Sequence, residues 1–272
     1  MAPHTPQRSS RPGGAGPFLD HCVRFLIAAI VVVAAATQAA GQPSLGRRVY
    51  DDDCAICHGA AGDGRGHAAN HFATPPRDFT GGRYKIRSTA SGQLPTDDDL
   101  RRTIVQGLPG TGMVPQEHLT DGEVRAVIAF IKSLSPRFAG APPAAPLPIP
   151  PEPAPTDDSV ARGRKVYAKA DCQECHGREG RGDGPSAKDL KIKPADLTRR
   201  PFKGGSTPRD IVRAVITGFD GTPMPSYHLL LDDAELWDLA RYVASLGGPP
   251  EVTRDEREGW HVVRMHQRRS PR

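Results

Sequence analysis

Aromatic side chains are few in this chain: Phe, Trp and Tyr together make up 6% of its 272 residues. With so few large rings, a small domain needs a staple or a cofactor to complete its core. Long apolar runs are missing as well. The longest, Phe25 to Ala36, spans twelve residues, whereas a membrane-crossing helix needs about 20. No sustained alternation of apolar and polar residues occurs, which excludes a strand-based class. Cysteine is scarce, at five in all. Cys22 precedes the apolar run and the other four stand in two copies of Cys-x-x-Cys-His, so once cleavage removes Cys22 no thiol is left over for other work. The formal net charge of +5 does not call for nucleic acid.

The apolar run follows Arg24 and leads into small residues ending Ala39-Ala40-Gly41. Residues 1–41 are thus expected to be an export signal cleaved before Gln42, or else an uncleaved N-terminal anchor, since the 24 residues ahead of the run are long for a signal. Cleavage would remove three arginines and one aspartate, taking the net charge from +5 to +3.

What the chain does have is glycine and proline, 29 and 28 residues. Prolines crowd residues 139–156, AGAPPAAPLPIPPEPAPT, where neither a helix nor an interior strand can form. The expectation is a semi-rigid spacer of about 55 Å when fully extended, at roughly 3.1 Å per residue. The bodies on either side, 44–138 and 157–248, are copies of one unit. A shift of 118 residues lays Cys54, Cys57, His58, Gly59, Gly62, Gly64, Gly66, Pro76 and Asp78 on Cys172, Cys175, His176, Gly177, Gly180, Gly182, Gly184, Pro194 and Asp196. Gly46 and Tyr50 match Gly163 and Tyr167 after a one-residue slip. Capping boxes at Thr120/Glu123 and Asp232/Glu235 open the stripes Val124-Val127-Ile128-Ile131-Leu134 and Leu236-Leu239-Ala240-Val243-Leu246, both of helical period. Middle helices are predicted from Thr96 to Gly107 and from Thr207 to Gly218. The class is all-α.

Cys-x-x-Cys-His admits four readings: two structural disulfides, one four-cysteine zinc site shared by both halves, a thioredoxin-like redox pair, or covalent haem c. A thioredoxin-like pair lacks its βαβ setting. In a helix, Cys54, Cys57 and His58 fall at i, i+3 and i+4, so both thiols and the imidazole share a face. Haem has a use for a histidine after each second cysteine, and a disulfide or a zinc site has none. Beyond Met1 only three methionines exist, and two of them, Met113 and Met224, lie in register six residues after Gly107 and Gly218. A thioether is a soft ligand suited to ferrous iron, and His/Met ligation raises the reduction potential.

With these residues in view, each half resembles a class I c-type cytochrome domain, and the pair a tandem dihaem cytochrome. The resemblance covers both bodies but not the N-terminal segment, the spacer or the tail. It implies two haem c groups, one on Cys54, Cys57, His58 and Met113 and the other on Cys172, Cys175, His176 and Met224. It also implies that the first and last helices of each half cross, at Gly46 with Phe130 and at Gly163 with Tyr242. The carbonyls of Pro76 and Pro194 would then accept the Nδ1 protons of His58 and His176. Two departures mark the first copy: Met-Val-Pro in place of Met-Pro, and about seven extra residues around RSTASGQLP.

Arg83, Lys85 and Arg87, with Arg199, Arg200 and Lys203, are candidates to pair with haem propionates, or else solvated surface charge. His118 and His228 share a Pro-x-x-His-Leu context and are the competing distal ligands. Residues 249–272 are expected to be a solvated, charged tail. The implied function is electron transfer by an exported or periplasmic dihaem cytochrome between redox partner proteins, with membrane attachment only through an uncleaved N-terminus. The alternatives are a dihaem peroxidase with one displaceable ligand and a cytochrome subunit of a larger oxidoreductase.

Overall fold

The computed structural model describes residues 43–269. The expected signal or anchor, residues 1–41, lies outside the described residues. The first half contains α1 (Leu45–Asp53), α2 (Ala55–His58), α3 (Asp97–Gln106) and α4 (Asp121–Ser133). The second repeats them as α5 (Ser159–Lys169), α6 (Cys172–His176), α7 (Pro208–Thr217) and α8 (Asp233–Leu246). A further helix, α9 (Arg254–Arg269), follows. Among the described residues there is no strand, only an isolated bridge between Thr89 and Pro146.

Local chemistry sets the helix ends. Thr96, Thr120, Thr207 and Asp232 each accept the N3 backbone N–H, and the N3 carboxylate returns the bond, so two orphan donors are satisfied at each start. α3 and α7 end at Gly107 (φ 68°) and Gly218 (φ 62°), a region that glycine enters without a Cβ clash. The apolar stripes of α4 and α8 face inward, and α1 and α5 cross them. A Cβ on Gly46 would run into the Ala126 carbonyl, and one on Gly163 into that of Asp238, so only glycine permits these crossings. Tyr50 packs on Phe130 with ring centroids 5.0 Å apart, and Tyr167 on Tyr242 at 5.3 Å. The slip between copies is a backbone event. Tyr50 and Cys54 are linked by a regular helical bond, Cys54 N to Tyr50 O at 2.9 Å. The second copy has one more residue there and absorbs it by placing Asp171 in the left-handed region (φ 53°).

The proline-rich segment is not a free spacer. Leu147 donates its N–H to the Ser88 carbonyl of the first half (2.8 Å), Leu147 and Ile149 pack on the second core, and Arg241 donates to the Pro153 carbonyl. Prolines keep this stretch extended, and its interspersed aliphatic side chains find apolar surface to cover. The seven-residue departure in the first copy forms a second tie between the halves. Arg87, wholly buried, donates to the Thr217 carbonyl (3.0 Å) and the Asp220 carboxylate (2.9 Å), and Ser91 and Gly92 also donate to Asp220. A cation thus meets the carbonyl end of α7, where unpaired acceptors and the helix dipole favour it.

Residues 249–272 were expected to be solvated, and within the described residues the tail instead docks as α9. α9 lies against the first half, with Asp255 buried there and His266 Nε2 donating to the Asp52 carbonyl at 2.7 Å. Acidic side chains in its first turn find unpaired backbone donors on the first half, which a charge count along the tail does not reveal.

Candidate functional site

Both Cys-x-x-Cys-His motifs are single helical turns held from behind by the glycines that follow them. Gly64 N–H bonds the His58 carbonyl (2.9 Å) and Gly66 N–H that of Cys57 (3.1 Å). Gly182 and Gly184 do the same for His176 and Cys175, at 2.8 and 3.2 Å. The repeated glycines thereby satisfy the carbonyls that a short helix leaves open. Tyr50 and Tyr167 donate their hydroxyls to the Gly59 and Gly177 carbonyls, each at 2.7 Å. Sequence reasoning aligned these tyrosines without giving them this role.

The histidine partners differ by one residue from expectation. His58 Nδ1 bonds the Arg77 carbonyl at 3.0 Å and His176 Nδ1 the Ala195 carbonyl at 2.9 Å, not those of Pro76 and Pro194. Successive carbonyls of an extended chain point to opposite sides. Those of Pro76 and Pro194 face Gly64 and Gly182, where an added Cβ would come within 2.8 and 2.9 Å of them. A carbonyl only accepts, so Nδ1 carries the proton and Nε2 keeps its lone pair. Burial holds both imidazoles below the ordinary histidine range, hence neutral at pH 7. Phe79 stacks on the His58 ring, centroids 4.5 Å apart, while the matching position on the second side is Leu197.

Burial pushes the thiols of Cys54 up to about 12 and of Cys57 and Cys172 up to about 11. A zinc site needs thiolates, and among the described residues no three His, Cys, Asp or Glu side chains gather as one.

Met113 and Met224 sit in matched, closed loops. Met113 accepts the Leu108 N–H through its carbonyl (2.8 Å) and donates its N–H to Thr111 Oγ1 (3.1 Å), which donates to the Leu108 carbonyl (2.7 Å). Met224, Thr222 and Phe219 repeat the arrangement at 3.2, 3.3 and 2.8 Å. The threonine two residues before each methionine was legible as a repeat and was overlooked.

Cys54, Cys57, His58 and Met113 line the same cavity as Cys172, Cys175, His176 and Met224. Its volume is about 1140 Å³, above the roughly 300–1,000 Å³ usual for one drug-sized ligand. Neither candidate histidine, His118 or His228, lines this cavity. His118 Nε2 is bonded to the Asp53 carboxylate at 2.9 Å. Gln116 and Tyr227 make equivalent backbone bonds 111 residues apart, to Ile104 and Val215, whereas His118 and His228 are 110 apart and out of structural register.

Of the six basic candidates, Arg87 is committed to the tie between the halves, and Arg200 to carbonyls at the end of α8, Val243 O at 2.9 Å among them. Arg83 is exposed, as is Arg199. Lys85, Lys203, Arg199 and Arg200 line the cavity together with Arg77, which sequence reasoning missed. Burial, then the neighbouring positive charges, holds Lys85 below the usual lysine range; burial does so for Lys203, with Asp255 opposing and Arg77 adding to it. Tyr84 Oη, in the cavity wall, is buried with no partner among the described residues.

Two families match the chain: "Cytochrome c" over residues 43–135 and "Cytochrome C oxidase, cbb3-type, subunit III" over residues 158–243. The chain is 31% identical over 215 residues to the cbb3-type cytochrome c oxidase subunit CcoP of Azospirillum sp. (strain B510), covering 75% of this chain and 62% of that protein. It is 28% identical to the same subunit of Azospirillum brasilense, covering 75% and 61%. It therefore spans about three fifths of the length of these relatives. Among solved structures, a chain of the Kuenenia stuttgartiensis reducing HAO-like protein complex superposes with a TM-score of 0.72 at 42% identity, covering 76% of this chain and 97% of that one.

Proposed function

Since the chain belongs to the tandem class I c-type cytochromes, whose cofactor is haem c, we propose that it carries electrons between redox partner proteins through two covalently held haems. Cys54 and Cys57 would hold one group by thioether bonds with His58 and Met113 as axial ligands; Cys172, Cys175, His176 and Met224 would hold the other. The observation that carries this reading is the single cavity into which both Cys-x-x-Cys-His turns and both methionine loops open.

The walls fit such a group. Both imidazoles keep Nε2 free and are locked by backbone carbonyls, which fixes the tautomer and strengthens the donor. Cationic Lys85, Lys203 and Arg77, with the unpartnered Tyr84 hydroxyl, supply positive charge and a donor where the cofactor's carboxylates would be received. Each bound haem supplies a one-electron iron couple. The chain would exclude water and set the potential through the surrounding charge, with His58, Met113, His176 and Met224 as the residues that would hold the iron.

The test is pyridine haemochrome analysis with intact mass of the holoprotein. Two covalent haems per chain are expected, and fewer would overturn the reading. Met113→Ala and Met224→Ala should each abolish one ferric methionine-to-iron charge-transfer band and lower one potential. Rapid peroxide turnover by the unmodified protein would favour a peroxidase instead.

A role as cytochrome subunit of a larger assembly has support of its own, because the relatives are an oxidase subunit and a chain of a protein complex. Export to the periplasm, free or anchored at the outer face of the inner membrane, rests on the apolar run at 25–36. Among the described residues no helix is long and apolar enough to cross a membrane.

A further inference from the structure

We infer that α9 is a positioning element for the first methionine loop, acting through Glu256 and Gly259, and that it opposes release of the distal ligand at the first haem site. The inference rests on Met113 being an axial ligand. α9 lies outside both family-matched segments, 43–135 and 158–243.

Four contacts fix the helix across the mouth of the first site. Glu256 completes a capping box with Thr253, with N–H bonds of 3.1 and 2.9 Å, and its other carboxylate oxygen accepts the Gly110 N–H at 2.8 Å. One side chain therefore both starts α9 and grips the loop that carries Met113. Gly259 lies directly on that loop, where an added Cβ would come within 2.5 Å of the Gly112 carbonyl and 2.9 Å of Val114. The buried Asp255 accepts the Ala73 and Thr74 N–H groups at 3.1 and 2.9 Å, and Glu258 pairs with His71 at 3.1 Å. Thr253, Arg254 and Val263 complete the cavity wall.

The departure from Met-Pro in the first copy has its explanation here. Val114, 3% exposed, is the residue that Gly259 covers. The second loop is held at the matching turn by a different device, the Asp220 carboxylate, which accepts from Arg87 Nη2 at 2.9 Å, Ser91 Oγ at 2.9 Å and the Gly92 N–H at 3.1 Å. Gly221 corresponds to Gly110, and a Cβ on Gly221 would meet nothing within 4 Å. A methionine ligand leaves iron only if its loop swings away. α9 opposes that motion at Met113, and the grip of Arg87, Ser91 and Gly92 on Asp220 opposes it at Met224.

The experiment uses the full holoprotein and four variants: Glu256→Gln, Glu256→Asp, Gly259→Leu and, in parallel, Met113→Ala. Readouts are the ferric charge-transfer band, the two reduction potentials and carbon monoxide uptake by the reduced protein. Gly259→Leu should lose about half the band, lower one potential and take up one carbon monoxide per chain where the unmodified protein takes up none. Glu256→Gln should shift the same haem in the same direction by less, and Glu256→Asp should restore part of it. If Gly259→Leu fails to fold, the temperature at which half the band is lost in Glu256→Gln decides: a fall supports the inference, and no change overturns it. Normal band and uptake in folded Gly259→Leu, alongside a halved band in Met113→Ala, overturn the role of α9. An unchanged band in Met113→Ala overturns the ligand assignment itself.

Discussion

Arg87 and Asp220 meet across the boundary between the two halves, Nη2 to carboxylate oxygen at 2.9 Å, with the arginine side chain wholly enclosed. The same guanidinium serves the Thr217 carbonyl at the end of α7. The arginine is wholly enclosed and Asp220 only 15% exposed, so removing one partner leaves the other with little water to compensate.

Arg87→Met should therefore cost about 3–5 kcal/mol of unfolding free energy, measured by denaturant titration of the holoprotein. Asp220→Asn keeps a hydrogen-bonding acceptor for Ser91 and Gly92 and should cost less. Equal, small losses in both variants would show that the tie between the halves lies elsewhere.

The helix crossings make a sharper steric prediction. Gly163→Ala forces a methyl group against the Asp238 carbonyl, a backbone atom that cannot rotate away, and should cost about 3 kcal/mol or more. Gly122→Ala is the contrast, since its Cβ meets only Thr120 Oγ1 at 4.0 Å in the first turn of α4. That change should stabilise by about 0.5–1 kcal/mol. Thermal melts of both variants check the pair.

Thr111 and Thr222 each make two hydrogen bonds that close a methionine loop. Replacing either with valine should remove about 1–2 kcal/mol from the closed loop, seen as a weaker ferric charge-transfer band. Each change should weaken the ligand of its own haem only, because each loop has a separate outside tie, α9 for the first and Arg87 for the second. Potentiometric titration of the two haems separates the sites.

Lys203 lines the cavity and bonds Thr74 Oγ1 at 3.3 Å. Positive charge beside a haem disfavours its ferric state, so Lys203→Gln should lower a potential by tens of millivolts, against about 59 mV for a tenfold change in a one-electron couple. Tyr84→Phe removes a donor from the same wall and should act in the same direction. No shift in either variant would place the cofactor's carboxylates elsewhere.

Much of this molecule was legible in its sequence because the signals are local. A threonine or aspartate three residues before a carboxylate caps a helix whatever surrounds it, so Thr96, Thr120, Thr207 and Asp232 mark their helix starts. Gly107 and Gly218 end helices because their φ angles suit glycine alone. The repeat multiplied each signal by two, which is how Met113 and Met224 stood out among so few methionines. The histidine partners slipped by one residue because alternate carbonyls of an extended segment face opposite ways, and sequence carries no sign of which way.

By itself the sequence determined the all-α class, the twofold repeat and the helical turn that puts two thiols and an imidazole side by side in each copy, since these rest on backbone preference and spacing within a few residues. Only the tertiary structure decided that the two sites share one cavity, that Arg87 bridges the halves instead of facing a cofactor, and that α9 closes over the first methionine loop. Those outcomes depend on contacts such as Arg87 to Asp220 and Gly110 to Glu256, 133 and 146 residues apart in the chain. At such separations local propensity is silent, and the unpaired donors and acceptors of a folded surface choose their partners.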